Sequence, residues 1–158
     1  LGAAYWDDKV EGTTAGGPTG SGQKAWRVFG SYDFGIAKVG LTYDESTVRL
    51  NSDDTKSAAF SIPVTAKLGP GTLMFTYTQA QDSKTAGSKN ADTGAKMYVL
   101  GYEYPLSKRT TLAASYAVIN NEANAAYGLF TGTVLGNLSA PTGGQGTKQL
   151  SLGLRHNF

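Results

Sequence analysis

Residues 26–34 read WRVFGSYDF, and two kinds of side chain alternate along this stretch. Every second position is apolar or aromatic, apart from one glycine: Trp26, Val28, Gly30, Tyr32 and Phe34. Polar residues such as Arg27 and Asp33 occupy the alternate positions. Because successive side chains of a β-strand point to opposite faces, this pattern predicts a strand with one apolar face.

The same period of two continues along almost the whole chain. It recurs in residues 39–43, 60–68, 73–77, 98–104, 112–118 and 150–158, and less regularly in residues 1–10. The composition, with 21 glycines and no cysteine, also suits strands and polar loops better than helices. We therefore predict an all-β chain with eight antiparallel strands.

The connections between these strands are of two kinds. Residues 34–36, 68–71 and 105–109 form short turns, whereas residues 11–22, 44–56, 80–94 and 120–146 form long polar loops. In an up-and-down meander every second connection lies at the same end, so the short turns share one rim and the long loops share the other. Transmembrane β-barrels have this asymmetry, and the sequence predicts such a barrel.

Aromatic residues cluster near both ends of the predicted strands. Those expected at the two membrane interfaces are Trp26, Tyr43, Phe60, Tyr77 and Tyr98 toward the long loops, and Phe34, Tyr104 and Phe158 toward the short turns. The strand from Trp26 to Phe34 spans roughly 20 Å along the membrane normal, close to the ~25 Å apolar band of such barrels. The alternative, that these aromatics pack in the core of an ordinary sheet, stays open at this point.

Three segments carry a resemblance to a known family. They are QLSLGLRHNF at 149–158, GYEYPLSKRT at 101–110 with the strand after it, and WRVFGSYDF at 26–34. Together they resemble the C-terminal half of trimeric general porins of Gram-negative bacteria, especially the β-proteobacterial type. Residues 1–158 would form this half as one unit.

The resemblance implies an outer-membrane barrel of sixteen strands, of which eight lie in this chain, and a homotrimer. It also implies that Phe158 is an assembly signal, that the N-terminal half of the barrel is a partner, and that the constriction loop lies outside the chain. A start at Leu1, without a leader segment, agrees with a part of a longer or processed protein. The lipid bilayer and lipopolysaccharide are further expected partners.

Charged residues on the alternate positions line the lumen if the apolar faces contact lipid. The candidates for pore lining and ion selectivity are Arg27, Lys38, Arg155, Asp33 and Glu103. A basic strip on the wall would attract anions. In the alternative, the basic residues pair with Asp33, Glu103 or carboxylates elsewhere and only stabilise the wall.

The predicted function is passive diffusion of ions and small hydrophilic solutes through a water-filled channel that weakly favours anions. An enzyme is not expected, and neither is a cofactor or a metal, because His156 is the only histidine and no cysteine is present. No run of about 18 apolar residues occurs, which excludes a helical membrane protein. The formal net charge of +2 gives no electrostatic indication of nucleic-acid binding.

Two other functions remain open from the sequence. A self-contained eight-stranded barrel, acting as an adhesion or anchoring module through its long extracellular loops, would need an interior filled by bulky side chains. The inward positions are mostly small: Thr76, Thr78, Gly101, Ala113, Ser115, Ser151 and Gly153, although Phe29, Met74 and Val99 share that face. A soluble secreted β-sandwich that binds carbohydrate or protein would have to hide the aliphatic faces of at least six strands from water.

Overall fold

The computed structural model describes residues 1–10, 21–50, 53–129 and 142–158. Its strands are β1 (Gly2–Val10), β2 (Ser21–Asp33), β3 (Ala37–Leu50), β4 (Asp53–Leu68), β5 (Gly71–Ala80), β6 (Lys84–Thr85), β7 (Ser88–Lys89), β8 (Ala95–Pro105), β9 (Thr110–Asn121) and β10 (Thr147–His156). Across the described ranges, no helix has the length and hydrophobicity needed to span a membrane. The predicted all-β class is confirmed.

The eight long strands form one antiparallel sheet in sequence order, β1-β2-β3-β4-β5-β8-β9-β10. This is the predicted up-and-down meander. Within the described residues, β1 pairs only with β2 and β10 pairs only with β9, so the sheet has two free edges. An open sheet does not favour the alternative in which these strands close on themselves as a small barrel.

Short turns join the strands at one rim, as predicted. In the turn between β2 and β3, the backbone N–H of Phe34 donates to the carbonyl of Ala37 at 2.8 Å, and Gly35 has a φ of +84°. Gly69 has a φ of +59° in the turn between β4 and β5. Glycine suits both positions because it adopts a left-handed backbone without steric cost.

The prediction of a long loop at residues 44–56 is wrong. β3 continues to Leu50 and β4 begins at Asp53, and the two strands stay in register from Asp44 opposite Ala59 to Leu50 opposite Asp53. Polar residues occupy both faces there, so hydrophobic alternation gives no signal, although the β-branched residues Thr47 and Val48 favour an extended chain.

The predicted loop at residues 80–94 contains a small hairpin, so the described residues form ten strands where eight were predicted. β6 pairs with β4 and β7, and the hairpin turns at Ala86 and Gly87, both with positive φ. The hydroxyls of Thr55 and Thr85 lie 3.1 Å apart across the junction with β4. The other two predicted long loops include residues 11–20 and 130–141, which lie outside the described residues.

In β8, β9 and β10, the two faces of the single-layered sheet differ in exposure. In β9, Ala117 and Ile119 are buried on one face, with 9% and 5% of their surface exposed. On the other face of β9, Leu112 and Tyr116 are exposed. Because no second layer covers either face in the described residues, this difference indicates that the sheet curves toward the face of Ala117. We call that face concave and the opposite face convex.

Candidate functional site

The concave face carries mostly small and hydroxylated side chains. The hydroxyls of Ser61 and Thr78 lie 2.8 Å apart across β4 and β5. At Gly101, a Cβ atom would lie 3.3 Å from the Cε atom of Met74, so a larger residue here would require the Met74 side chain to shift. Small polar side chains leave space in front of the sheet, as expected of a surface that faces water.

Arg27 lies on the concave face, opposite the apolar face of β2, and its partner is Asp44. The two residues lie opposite each other in the register of β2 and β3, and the guanidinium of Arg27 donates to the carboxylate of Asp44. The sequence left open that the basic residues pair with Asp33, Glu103 or carboxylates elsewhere, and Asp44 is such a carboxylate for Arg27. Asp44 was missed because the sequence placed it in a loop, where parity assigns no face.

Asp33 and Lys38 lie opposite each other at the short-turn end of β2 and β3. The Oδ1 atom of Asp33 accepts a hydrogen bond from the backbone N–H of Gly35 at 2.8 Å. Such a bond stabilises a turn. Asp33 therefore supports the turn, and within the described residues it forms no ion pair with Lys38 within 4.0 Å.

Lys67 is a further basic residue of the concave face that sequence reasoning missed. It lies opposite Thr72 of β5, which in turn lies opposite Glu103 of β8. The sequence was sufficient to assign this orientation, because Lys67 alternates with Ala66 and Leu68, which occupy the apolar face of the predicted strand 60–68. Arg155 lies opposite Thr111 near the same rim.

The charges of the concave face thus form two groups. Near the long-loop end of the sheet, Arg27 and Asp44 are paired, and Asp8 and Asp53 are two further acids of the same face. The second group lies toward the short-turn rim and consists of Asp33, Lys38, Lys67, Glu103 and Arg155. In the described part of the chain, none of the three basic residues of this group has a carboxylate within 4.0 Å.

Aromatic side chains form a row on the convex face near the long-loop end. It is built of three register pairs: Tyr5 with Trp26, Tyr43 with Phe60, and Tyr77 with Tyr98. Ring centroids are 5.2 Å apart for Trp26 and Tyr43, and 5.8 Å apart for Phe60 and Tyr77. All five aromatics predicted at this end belong to the row, and Tyr5, which was not predicted, extends it.

The row runs obliquely across the strands. Trp26 lies opposite Glu45, two residues from Tyr43, and Phe60 lies opposite Gln79, two residues from Tyr77. The row therefore shifts by two residues for every two strands. With a rise of about 3.3 Å per residue and a strand spacing of about 4.8 Å, a row that lies level with the membrane corresponds to strands tilted by roughly 35° from the membrane normal. Strands of membrane barrels tilt by about 35–45° relative to the barrel axis.

Aromatic residues also mark the short-turn rim. The rings of Tyr32 and Phe34 are 4.7 Å apart, and those of His156 and Phe158 are 4.9 Å apart. Tyr104 lies on the convex face of β8, two residues from Tyr102. The convex face thus has aromatic borders at both ends, with exposed aliphatic residues such as Leu100 and Leu152 between them.

These features match a known family, because residues 1–124 fit the profile described as Gram-negative porin. The chain belongs to this family. It is 31% identical over 131 residues to outer membrane porin protein 32 of Delftia acidovorans, a match that includes 81% of this chain and 35% of that porin. The chain is a bacterial outer-membrane protein whose relatives are porins.

A solved porin shares the fold. The anion-selective porin from Comamonas acidovorans aligns with a TM-score of 0.78 and 24% sequence identity. The alignment covers 99% of this chain and 44% of that porin. The chain thus spans less than half the length of the porins that it matches, and it corresponds to their C-terminal part.

Proposed function

We propose that this chain forms one side of a water-filled channel through which ions and small hydrophilic solutes diffuse passively. The proposal rests on the difference in polarity between the two faces of a single-layered, curved sheet. Small polar side chains occupy the concave face, and aliphatic side chains bordered by aromatics occupy the convex face. A sheet of this kind is suited to have water on its concave side and lipid on its convex side.

The two free edges require more strands. Unpaired backbone groups in lipid cost several kcal/mol each, so β1 and β10 need partners within the bilayer. We propose that the N-terminal half of a longer porin supplies these strands and closes a barrel of about sixteen. Following the family resemblance, we further propose that three such barrels associate and that Phe158 belongs to the assembly signal.

The charges of the concave face near the short-turn rim support a weak preference for anions. Arg27 and Asp44 neutralise each other near the long-loop end, where Asp8 and Asp53 are two further acids of the same face. At the short-turn rim, the three basic residues Lys38, Lys67 and Arg155 outnumber the two acids Asp33 and Glu103. Fixed charges on a pore wall set selectivity by raising the local concentration of counter-ions. The likeness to the solved anion-selective porin supports the fold and does not carry this preference.

The aromatic borders of the convex face support contact with the two membrane interfaces. Tyrosine and tryptophan rings are enriched at headgroup level because one end is apolar and the other polar. Trp26 fits this role, since its ring packs on Tyr43 while its Nε1–H points to Glu45 at 3.4 Å. We propose that the outer row lies at the extracellular interface and the aromatics of the short-turn rim at the periplasmic one.

Planar-bilayer recording tests the proposed channel. The full-length protein that contains this chain is extracted in detergent without boiling, and conductance is recorded under a salt gradient. We expect large, long-lived steps that occur in groups of three, with a reversal potential on the anion side. A protein that inserts into the bilayer but gives no steps would contradict the channel function.

A further inference from the structure

A small cavity lies on the concave side of the sheet near the long-loop end, with a volume of about 310 Å³. It is lined by four residues that carry hydroxyl groups and by one loop segment: Thr55, Ser57, Ser83, Thr93 and residues 124–127. Thr55 and Ser57 belong to the concave face of β4. Ser83 shares this face, because Thr85, two residues later, lies opposite Thr55. The cavity therefore faces the proposed lumen at its long-loop mouth.

Residues 124–127 are held in place by hydrogen bonds at both ends. The backbone N–H of Asn124 donates to the carbonyl of Asp92 at 2.8 Å, and its side-chain amide donates to the carbonyl of Ala91 at 3.0 Å. The side chain of Asn121 donates to the carbonyl of Tyr127 at 2.9 Å and accepts its N–H at 3.2 Å. A wall that is fixed before a ligand arrives lowers the entropy cost of binding.

The hydroxyl groups on the side of the small hairpin are fixed as well. The Oγ1 atom of Thr93 accepts the backbone N–H of Ser83 at 2.9 Å and donates to the carbonyl of Asn90 at 2.9 Å. The side-chain amide of Asn90 in turn donates to the hydroxyl oxygens of Ser83 and Thr85, at 2.9 Å and 3.0 Å. Because a hydroxyl group both donates and accepts, a ligand meets groups of both kinds at fixed positions.

Ser57 and Tyr127 carry two hydroxyl groups that are available to a ligand. Within the described part of the chain, neither hydroxyl has a hydrogen-bond partner, and Tyr127 is 39% exposed. The ring of a tyrosine offers a flat apolar surface beside its polar end. A sugar ring has the complementary form, because its C–H groups make apolar faces and its hydroxyl groups lie around the edge.

The charge of the lining favours a neutral ligand. Among the described residues that line the cavity, none is charged. Asp54, Asp82 and Asp92 are adjacent to lining residues in sequence, and two of them are already engaged, Asp54 by Arg49 and Asp82 by Lys89. A charged solute would lose water here without gaining a counter-charge, which is costly. A neutral solute with several hydroxyl groups exchanges its hydrogen bonds with water for bonds to the lining.

We propose that this cavity binds a neutral polyhydroxylated solute, a single pyranose ring of a sugar. The inference rests on the proposed function only for the route by which the solute arrives. The full-length protein, in a detergent without a sugar headgroup, is titrated with methyl β-D-glucopyranoside, and binding is followed by saturation-transfer NMR. The variant is S57A/Y127L, which breaks none of the hydrogen bonds described above. The matched control, S115A/Y116L, removes the same two groups from β9 outside the cavity.

We expect saturable binding by the wild type and the control, and roughly tenfold weaker binding by S57A/Y127L, because two hydrogen bonds and the apolar ring are lost. The variant Y127F, which keeps the ring, should bind roughly threefold more weakly than the wild type. Equal affinity of S57A/Y127L and wild type, or no saturable binding by the wild type, would overturn the proposal.

Two further solutes test the class of ligand. Glucuronate, which carries a carboxylate on the same kind of ring, should bind more weakly than the glucoside. Triethylene glycol, a neutral ether with only two hydroxyl groups, should not compete with the glucoside at equal concentration. Tighter binding of glucuronate would indicate an anion site, and competition by triethylene glycol would indicate binding without recognition of hydroxyl groups. Either result would overturn the proposal.

Bilayer recording of the same samples separates this proposal from the channel function. Conductance steps in S57A/Y127L show that the variant is folded and that its glucoside binding is a valid readout. Steps combined with unchanged glucoside binding contradict the sugar site alone. The absence of steps in the wild type contradicts the channel function and leaves the binding comparison intact.

Discussion

Arg27 of β2 and Asp44 of β3 lie directly opposite each other on the concave face and form an ion pair. The side chain of Arg27 is 57% exposed and that of Asp44 is 35% exposed, so both charges remain in contact with water. An exposed pair of this kind contributes little to stability. Its main effect is electrical, because it cancels the wall charge at the level of the outer aromatic row.

Neutralising one partner of this pair should expose the charge of the other. In water, a unit charge about 8 Å from a passing ion contributes about 0.5 kcal/mol, with opposite sign for anions and cations, and screening by about 0.15 M salt reduces the resulting change in the permeability ratio to about twofold. Asp44→Asn should therefore shift the reversal potential toward anions by this amount, and Arg27→Gln should shift it toward cations. The double variant should return close to the wild-type potential in the same salt gradient. Two single variants that both leave the potential unchanged would remove this pair from the selectivity argument.

The turn between β4 and β5 depends on the absence of a side chain at Gly71. A Cβ atom there would clash with the backbone carbonyl oxygen of Glu103 and would lie 2.5 Å from the Cζ and Oη atoms of Tyr102, whose hydroxyl donates to the carbonyl of Leu68 at 2.7 Å. Gly71→Ala should thus displace the ring and destabilise the folded barrel by about 1–3 kcal/mol. Urea unfolding in detergent or lipid measures this loss. The control is Gly153→Ala, where no atom lies within 4 Å of the added methyl group and the midpoint should change little.

The two tryptophans report on opposite faces. Trp26 lies on the convex face in the aromatic row, whereas Trp6, opposite Ala25, points to the concave face. In single-tryptophan variants of the full-length protein, lipids brominated near the headgroup should quench Trp26. Aqueous iodide should quench Trp6. The reverse assignment would mean that the two faces are exchanged.

The contact between Asp82 and Lys89 should hold the segment 82–94 over a defined pH range. The hydrogen bond from the ammonium of Lys89, followed by that from the backbone N–H of Thr93, lowers the pKa of Asp82, and the same carboxylate raises the pKa of Lys89. A lowered acid pKa means that the stabilisation is present above about pH 4 and is lost as the pH falls through the pKa of the folded state. A raised lysine pKa means that it is present below about pH 10 and is lost as the pH rises through the folded value.

Hydrogen exchange of the backbone amides of Thr93 and Gly94 measures this effect. Their protection factors, corrected for the intrinsic rate, should be constant near neutral pH and fall below pH 4. Asp82→Asn should lower them at neutral pH and abolish the fall in acid. Protection that does not depend on pH in the wild type would show that this contact does not hold the segment.

The sequence predicted the fold wherever one face of a strand is apolar, because alternation then reports both extension and orientation. It failed at residues 44–56, where polar residues on both faces of β3 and β4 give no contrast. The same failure hid Asp44, whose face is defined only once β3 is known to continue through it. β6 and β7, each of two residues, are too short for any periodicity to show.

For the candidate site, the alternation of positions along each strand assigned all five predicted charged residues to one face, which is the concave face of the sheet. Alternation does not identify which of these residues form ion pairs. The partner of Arg27 depends on the register of β2 and β3, which the sequence does not specify residue by residue. The orientation of Lys67 was available from parity alone. The tilt of the aromatic row, by contrast, requires the register of six strands, so the sequence indicated its members but not its slope.

Cysteine accessibility on β9 tests the central claim most directly, because this chain has no cysteine and neighbouring residues of β9 point to opposite faces. In the full-length protein without other cysteines, Ser115→Cys lies on the concave face and Tyr116→Cys on the convex face. A charged, water-soluble thiol reagent is added to open channels during bilayer recording. The account predicts a stepwise fall in conductance for Ser115→Cys and no change for Tyr116→Cys. A fall in conductance with Tyr116→Cys and none with Ser115→Cys would contradict it.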